Sequence, residues 1–326
     1  MLKVLIATGG TGGHLFPAQQ LAEMLPDAET LFAGHKLDTS PFFHRKVPFC
    51  EIHSASSIKQ WPRLLKGVWQ SIKLILRFQP DVVVGFGSFH SFPTLLAAAI
   101  LRKKIVLFEA NCSLGKVNRF FAPFATKLAL QFPIAHRKAV YVPLLPWTKK
   151  GGRAQRYSRD PARITILVFG GSQGAQFINQ TFCEAAGLLT FPFQVIHLTG
   201  KEDVGVKYEV PAIVKPFEAE MESAYEAADL VVCRCGAGTV AELIRFQKPA
   251  VLIPYPYAHD HQRKNGEYLK QGARVLLQKD ATPQRLAVEI EQLRANQEMH
   301  KQALRQIVLP KTVDFCHVIR SVGGKT

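Results

Sequence analysis

The sequence predicts an α/β protein built from two doubly wound, Rossmann-like domains. Three observations support this fold class. The chain has 326 residues, of which 47% are hydrophobic and 20% charged, so it is too long for one ordinary core and too apolar for disorder. Short apolar runs of strand length alternate with helical stretches. A strand, a glycine-rich turn and a helix follow one another near the N-terminus and again near mid-chain, which indicates a duplicated architecture.

The first repeat begins at the N-terminus. An apolar strand at 3–7 runs into a glycine-rich loop at 8–14, and the following helix has Pro17 in its first turn. Two further strands of the buried type lie at 81–85 and 104–108, separated by helical stretches. Parallel sheets need such alternation, because helices must connect the strands and cover both faces.

The second repeat has the same order. A strand at 163–169 leads into a glycine-rich loop at 170–175 and a helix from about 176 to 186. A third strand and loop, at 229–233 and 234–239, also open a helix. The carboxyl ends of strands in open α/β sheets are where ligands bind, so both halves are expected to place their loops around a ligand.

The domain boundaries follow from composition. A stretch rich in Pro, Gly and charge, with little periodicity, separates the two repeats and is predicted to be a linker. We expect the two domains to face each other across a cleft that holds the substrate. The predicted organisation is an N-terminal domain at 1–147 joined by a C-terminal helix at 311–326, a linker at 148–162, and a C-terminal domain at 163–310.

The charge is concentrated in one half of the chain. Residues 1–163 carry 23 Lys and Arg against 8 Asp and Glu, whereas residues 164–326 carry 18 against 17. A one-sided basic surface suits nucleic acid, an anionic membrane or a polyanionic ligand, whereas a merely basic, solvated protein would spread the excess. No apolar run is long enough to span a membrane and no signal-peptide pattern is seen, which predicts a cytosolic protein. The six cysteines form no C-x-x-C pair, so neither a disulfide framework nor structural zinc is expected.

The glycine-rich loops are candidate phosphate sites. Glycine lets the backbone approach a phosphate, and a helix N-terminus supplies free N–H groups. Each loop alone is weak evidence, because the same turn also simply joins a strand to a helix. The loop at 234–239 is more informative, since Glu242 follows on the same helix and can meet a ribose. The run 259–261 (His-Asp-His) suggests a metal, but it lacks a third ligand and the chain has no Asp-x-Asp triplet, so no metal site is expected.

Four motifs in order resemble the MurG family of UDP-N-acetylglucosamine transferases, which convert lipid I to lipid II in peptidoglycan synthesis. They are the loop 9–14 with Phe16-Pro17, the loop 170–175 with Asn179, the stretch 234–239 with Glu242, and Asp260-x-Gln262-x-x-Asn265. Each is modest alone, but their joint order over nearly the whole chain is specific. The resemblance implies an inverting, metal-independent transferase of the GT-B fold without a cofactor. Its N-terminal domain would lie on the acceptor and membrane side, and its C-terminal domain would bind the UDP-sugar.

The resemblance also implies substrates and site residues. The enzyme would move N-acetylglucosamine from UDP-N-acetylglucosamine (UDP-GlcNAc) to the 4-hydroxyl of the muramyl sugar of lipid I. The catalytic candidates, His14 and Glu109, follow instead from the chemistry of such a transfer. The donor-binding candidates are Thr11, Gly12, Gly13, Asn111, Ser172, Ala237, Gly238, Thr239, Val240, Ala241, Glu242 and Gln262.

The chain departs from the family at three places. Phe108 stands where the family has histidine, and the loop 87–93 differs from the family's Gly-Gly-Tyr-x-Ser-x-Pro. The interdomain segment 143–147 lacks the family's arginine that helps to hold uridine, and Lys149 and Lys150 are candidates to replace it. These changes bear on donor affinity and acceptor detail more than on the class of reaction.

The chemistry requires a base for the acceptor hydroxyl and positive potential for the leaving diphosphate. His14, where a glycine-rich loop meets a helix, is a candidate base, an orienting group or a capping side chain, and Glu109 is the rival base. Other functions stay open at this point. They are another GT-B enzyme using a UDP-sugar, such as a glycolipid glycosyltransferase or a UDP-sugar epimerase, and a non-catalytic nucleic-acid-binding protein.

The stretch 59–78 is a candidate membrane contact. Its apolar residues recur at helical spacing beside four cations, as in an interfacial helix, although a core-facing helix with a basic outer side gives the same pattern. The expected partners are UDP-GlcNAc, lipid I and an anionic membrane surface rather than nucleic acid, with the protein peripheral at the cytoplasmic face of the cell membrane. The apolar residues are Trp61, Leu64, Leu65, Val68, Trp69, Ile72, Ile75 and Leu76, and the cations are Arg63, Lys66, Lys73 and Arg77.

Overall fold

The computed structural model contains two compact units. The N-terminal unit comprises Met1–Trp147 and Leu309–Thr326, and the C-terminal unit comprises Thr148–Val308. The structure describes residues 1–9, 12–40, 43, 47–54, 61–144, 157–171, 174–200, 205–257 and 260–324. Most of the predicted linker, 148–156, lies outside these residues.

The N-terminal unit is a parallel sheet in the order β3-β2-β1-β4-β5-β6-β7. Its chain order reverses direction between β1 and β4, where ligands of open α/β sheets bind. The elements are β1 (Leu2–Gly9), α1 (Gly12–Glu23), β2 (Ala28–His35), β3 (Phe49–Glu51), α2 (Trp61–Phe78), β4 (Val82–Gly85), α3 (Phe92–Ile100), β5 (Ile105–Glu109), α4 (Lys116–Phe121), β6 (Lys127–Leu130), β7 (Ala139–Tyr141) and a C-terminal helix, α11 (Phe315–Gly323).

Strand β1 shows why the strands are continuous apolar runs. Val4 and Ile6 pack into a core with side chains of α1 and α11, whereas Leu5 and Ala7 pack into a second core with side chains of α2 and α3. Successive side chains of a strand point to opposite faces, so a sheet covered by helices on both sides needs apolar residues at every position.

Two predicted helix boundaries need correction. Helix α1 begins at Gly12 rather than near Phe16, which puts His14 in its first turn and Pro17 inside it. Helix α11 begins at Phe315, whereas the predicted helix begins at residue 311, so residues 311–314 are not helical. Its start is fixed by the Asp314 carboxylate, which accepts hydrogen bonds from the N–H groups of the first helical turn.

The C-terminal unit repeats the architecture. Its parallel sheet has the order β10-β9-β8-β11-β12-β13, so the reversal lies between β8 and β11. Within the described residues, no helix is long and apolar enough to cross a bilayer. The elements are β8 (Ile164–Phe169), α5 (Gln176–Ala186), β9 (Phe193–Leu198), β10 (Ala212–Lys215), α6 (Met221–Ala227), β11 (Leu230–Cys233), α7 (Ala237–Phe246), β12 (Ala250–Leu252), α8 (His261–Tyr268), β13 (Ala273–Val275), α9 (Pro283–Ala295) and α10 (Gln297–Arg305).

Candidate active site

In both units, some of the predicted site residues follow a strand at the point where the strand order reverses. In the N-terminal unit, Gly12, Gly13 and His14 follow β1. In the C-terminal unit, the start of α7 follows β11. The connections that follow the two central strands lead to opposite faces of the sheet there, which leaves room for a ligand at the carboxyl ends of the strands. The two sets of residues therefore belong to equivalent places in two separate units.

His14 is held in one tautomer. Its Nδ1 lies 2.7 Å from the carbonyl oxygen of Phe86, the residue that directly follows β4. A carbonyl can only accept, so Nδ1 carries the proton and Nε2 presents a lone pair. Gly87 has φ +72°, and a Cβ there would come within 3.4 Å of the imidazole. The glycine conformation thus lets the chain after β4 lie against the ring.

Burial sets the acidity of His14. It lowers the pKa of the imidazole below 6.5, and the Phe86 carbonyl and the nearby Glu109 carboxylate offset part of that effect. Both groups favour the imidazolium without overcoming desolvation. His14 is therefore neutral at neutral pH, and a positive charge formed on its ring would be stabilised from two sides.

The Glu109 carboxylate is fully engaged in hydrogen bonds. It lies at the end of β5 and is 4% exposed. Its Oε1 accepts from the backbone N–H and the side-chain amide of Asn111, at 3.1 and 2.8 Å. Its Oε2 accepts from the Gly115 N–H at 2.8 Å and from the Asn118 amide at 2.9 Å. Glu109 thereby fixes the loop between β5 and α4, and Asn111 is fixed with it.

The start of α7 presents unsatisfied backbone donors. Its N-cap residue is Gly236, and no side chain caps the helix. A Cβ built on Gly238 would meet nothing within 4 Å among the described atoms, and the same is true of Gly13 in the other unit. Free N–H groups beside open space at a helix N-terminus suit a phosphate. Ala237, Gly238 and Thr239 form this first turn, while Val240 and Ala241 are buried on its inner side.

Glu242 lies one turn further along α7 and is largely buried. Its Oε2 accepts a hydrogen bond of 2.8 Å from the Tyr225 hydroxyl of α6. Burial raises the pKa of this carboxyl to about 7, and the Tyr225 hydrogen bond and the Arg245 charge counteract part of the rise. The sequence did not single out Tyr225, because no local pattern relates residues 225 and 242.

Gln262 bridges two loops from α8. Its Oε1 accepts from the backbone N–H groups of Cys235, at 3.3 Å, and Tyr255, at 2.8 Å. Asn265 donates from its amide to the Cys235 carbonyl at 3.1 Å. The oxygen of Gln262 is thus committed to the protein, and the amide nitrogen is the group that remains to donate to a ligand.

Two predicted site residues lie outside the described residues. They are Thr11, in the first glycine-rich loop, and Ser172, in the second. His259 of the His-Asp-His run is also outside them, as are Lys149 and Lys150. Among the residues that are described, no group of three or more His, Cys, Asp and Glu is arranged to hold a metal ion. Asn118 lies nine residues beyond Glu109, to whose carboxylate its side-chain amide donates. No sequence pattern singled out Asn118.

Both halves of the sequence match a known family. Residues 4–130 match the glycosyltransferase family 28 N-terminal domain, and residues 165–313 match the glycosyltransferase family 28 C-terminal domain. Two curated relatives share the name UDP-N-acetylglucosamine--N-acetylmuramyl-(pentapeptide) pyrophosphoryl-undecaprenol N-acetylglucosamine transferase. The one from Protochlamydia amoebophila is 38% identical over 85% of this chain and 84% of its own. The one from Bdellovibrio bacteriovorus is 34% identical over 94% of each chain.

A solved structure has the same fold. Acinetobacter baumannii MurG aligns with a TM-score of 0.81 and 25% identity, covering 99% of this chain and 100% of that one. The predicted pair of doubly wound domains is confirmed by the two parallel sheets and by this similarity. The resemblance to the MurG family seen in the four motifs is confirmed as well. The chain therefore belongs to glycosyltransferase family 28 and is a transferase of the GT-B fold.

Proposed function

We propose that this protein transfers N-acetylglucosamine from UDP-GlcNAc to the 4-hydroxyl of the muramyl sugar of lipid I, with inversion, and so makes lipid II. The shared name of the two curated relatives specifies this donor and a muramyl-pentapeptide acceptor on pyrophosphoryl-undecaprenol. The observation that carries the chemistry is the fixed tautomer of His14, whose Nδ1–H is held by the Phe86 carbonyl. A neutral imidazole oriented in this way is a general base.

His14 is a better base than Glu109. The Nε2 atom of His14 has no hydrogen-bond partner among the described residues, whereas both oxygens of Glu109 accept two hydrogen bonds each. Donors of the protein thus occupy both oxygens of Glu109, and neither is left free to accept from a substrate hydroxyl. Glu109 would act instead through its charge, which favours the imidazolium that forms when His14 takes the proton.

The C-terminal unit supplies the donor site in this proposal. The N–H groups at the start of α7 would bind the diphosphate, and Glu242 would accept hydrogen bonds from the ribose hydroxyls. The amide nitrogen of Gln262 would donate to the sugar. Thr11, Gly12, Gly13, Asn111 and Ser172 complete the proposed donor-binding set.

The reaction balances without a metal. The 4-hydroxyl oxygen of the acceptor forms a bond to the anomeric carbon while His14 Nε2 takes the hydroxyl proton. The bond between the anomeric carbon and the diphosphate oxygen breaks on the opposite face, which inverts the configuration. UDP leaves with the bonding electrons, and its charge is stabilised by the free N–H groups and positive end of α7.

We further propose that the outer face of α2 docks on an anionic membrane. Trp61 and Leu65 are 61% and 57% exposed, and Trp69 and Leu76 are 57% and 52% exposed. They lie four, four and seven residues apart, on one side of the helix. Lys73 lies over the Trp69 ring at 3.4 Å. Apolar rings beside cations are typical of helices that lie in a bilayer interface.

The other side of α2 supports this separation of roles. Val68 and Ile75 are buried in the core, and the hydroxyls of Ser71 and Thr94 lie 3.2 Å apart between α2 and α3. The apolar stripe predicted from sequence is therefore two stripes, and only one is used for folding. Packing within the N-terminal unit does not explain the exposed stripe, whereas contact with the membrane that holds a lipid-linked acceptor would explain it.

The decisive experiment measures UDP formation from UDP-GlcNAc with and without lipid I. We expect UDP release only when lipid I is present, together with a product that contains both sugars. UDP-GlcNAc consumed at the same rate without lipid I would contradict the proposal and favour an epimerase or a transferase with a different acceptor. An absence of UDP-GlcNAc binding would contradict it altogether.

A further inference from the structure

A buried phenol and carboxyl pair lies behind the start of α7. We propose that Tyr225 is a positioning residue that holds Glu242 for the ribose of the donor, so that donor binding is linked to ionisation of the Glu242 carboxyl. The inference rests on the proposed function, because it takes a UDP-sugar as the ligand. It adds a residue and a pH dependence that the reaction itself does not require.

The geometry assigns one oxygen of Glu242 to the protein and one to the ligand. Tyr225 is fully buried and Glu242 is 7% exposed. The Tyr225 hydroxyl donates to Oε2 at 2.8 Å. The other oxygen, Oε1, has no hydrogen-bond partner among the described residues. A carboxylate with one oxygen anchored and the other unpaired is prepared to accept from a ribose hydroxyl.

Aromatic packing fixes the phenol. The Tyr225 ring stacks on Phe246, with centroids 5.2 Å apart and planes at 6°. The ring also meets Phe169 edge-on at 6.0 Å and 89°. Phe169 is the last residue of β8, directly before the second glycine-rich loop. The position of the Tyr225 hydroxyl is therefore set by rigid elements that also carry the proposed donor loops.

Glu242 is the group in this cluster that titrates near neutral pH. Among the described residues, the titratable or charged groups that interact with it are Tyr225 on α6, Cys233 on β11 and Arg245 on α7. Burial raises the pKa of the phenol well above 10 and that of the thiol well above 9, so both stay neutral. Burial raises the pKa of Glu242 to about 7.

The sign of the effect follows from the hydrogen bonds. Ribose hydroxyls donate most strongly to an ionised carboxylate, and protonation removes both the charge and one acceptor site. Donor affinity should therefore be highest above pH 7 and fall as the pH drops below 7. Binding in that lower range should release a proton, because the ligand favours the ionised form.

The test is calorimetric titration of the full-length protein with UDP-GlcNAc, repeated at intervals of about half a pH unit between about pH 5.5 and 8. The diphosphate of this ligand is esterified at both ends and does not titrate in that range. Tyr225→Phe keeps the stacked ring and removes the hydroxyl. Tyr157→Phe is the matched control, because the Tyr157 hydroxyl donates to Glu218 Oε2 at 2.6 Å in another buried pair of the same unit.

We expect Tyr225→Phe to weaken UDP-GlcNAc binding about tenfold at pH 8, the effect of one lost hydrogen bond to a charged group. The midpoint of the pH dependence should move upward by about one pH unit, because the ionised carboxylate loses a donor. Tyr157→Phe should keep the wild-type midpoint. Glu242→Gln should bind weakly with no pH dependence in this range.

Other results would contradict either the role of Tyr225, the link to ionisation of Glu242, or the proposed function. An unchanged midpoint in Tyr225→Phe, or an equal shift in Tyr157→Phe, refutes the positioning role. If Tyr225→Phe does not fold, Glu242→Gln decides, and a pH dependence that persists in that variant refutes the linkage. A wild-type protein that binds no UDP-GlcNAc at any pH refutes the proposed function, whereas binding with an unchanged midpoint refutes this inference alone.

Discussion

Replacement of His14 by alanine should stop the chemical step while leaving donor binding nearly intact. The side chain donates from Nδ1 to the Phe86 carbonyl at 2.7 Å, which directs Nε2 outward as the proton acceptor. Its backbone follows β1 in the N-terminal unit, whereas the ribose and sugar contacts proposed above come from α7 and α8 of the C-terminal unit. The alanine variant therefore loses a base without losing a proposed contact to the nucleotide.

The size of the effect follows from the role. A positioned general base contributes about 10²–10⁴-fold, so kcat should fall by that factor, equivalent to about 3–5 kcal/mol. Because burial lowers the pKa of His14 below 6.5, the acidic limb of the wild-type kcat profile should lie below pH 6.5. That limb should be missing in His14→Ala, since no group remains there whose protonation stops the reaction.

Steady-state kinetics with lipid I, measured at intervals of about half a pH unit across about pH 5.5–8.5, give the pH dependence of kcat. Calorimetric titration with UDP-GlcNAc gives the donor affinity, and the two measurements together distinguish the possible roles of His14. His300→Ala is the matched control, because His300 also bonds to a backbone carbonyl through Nδ1, but on α10 of the other unit. It should keep kcat and the acidic limb. If His14→Ala loses donor affinity together with kcat and keeps the limb, His14 orients the phosphate and Glu109 becomes the better base. A variant with more than about a tenth of wild-type kcat refutes both roles.

Glu242→Gln should weaken UDP binding at pH 8 by about 1.5–3 kcal/mol through loss of a charged acceptor, and unchanged affinity in calorimetry would argue against a ribose contact. Trp61→Ser combined with Lys66→Glu should reduce co-sedimentation with anionic vesicles. If wild type shows no preference for anionic lipid and the variant binds as strongly as wild type, the docking face lies elsewhere. Burial lowers the pKa of His197 from 6.5 to about 4, so its contribution to stability is complete above pH 6.5 and is lost as the pH falls through 4. Between pH 7 and pH 5, the free energy of unfolding measured with urea should fall by about 2 kcal/mol more in wild type than in His197→Asn, because the pH dependence of other buried groups such as Glu242 is common to both proteins.

The fold was predictable because its signals are local. Strand β1 is apolar at nearly every position, and a glycine-rich turn and helix follow it, as they do after β8. Each of these signals lies within about 20 residues, the length of one strand, turn and helix. The start of α1 was misplaced because Pro17 is most common in a first turn, whereas here it lies inside a helix that begins at Gly12.

The candidate site was predictable only as a set of loops. The motifs pointed to His14 and Glu109 as rival bases, but their difference depends on partners that no local pattern reveals. Phe86 lies 72 residues from His14 and is brought to it by the pairing of β1 with β4. Tyr225 reaches Glu242 from a different helix. Hydrogen-bond partners that come from tertiary packing must be read from the structure.

The caps of four helices bear on how the leaving diphosphate would be stabilised. Helices α9 and α11 are capped by the side chains of Thr282 and Asp314. Helices α5 and α7, which follow β8 and β11 at the reversal of the strand order, begin after Ala175 and Gly236, and neither residue has a side chain that can cap. A capping side chain would stabilise each helix by about 1 kcal/mol, but it would occupy the N–H groups. At the two helices beside the proposed diphosphate site, those donors stay available, and a bound diphosphate would satisfy them while meeting the positive ends of both helix dipoles.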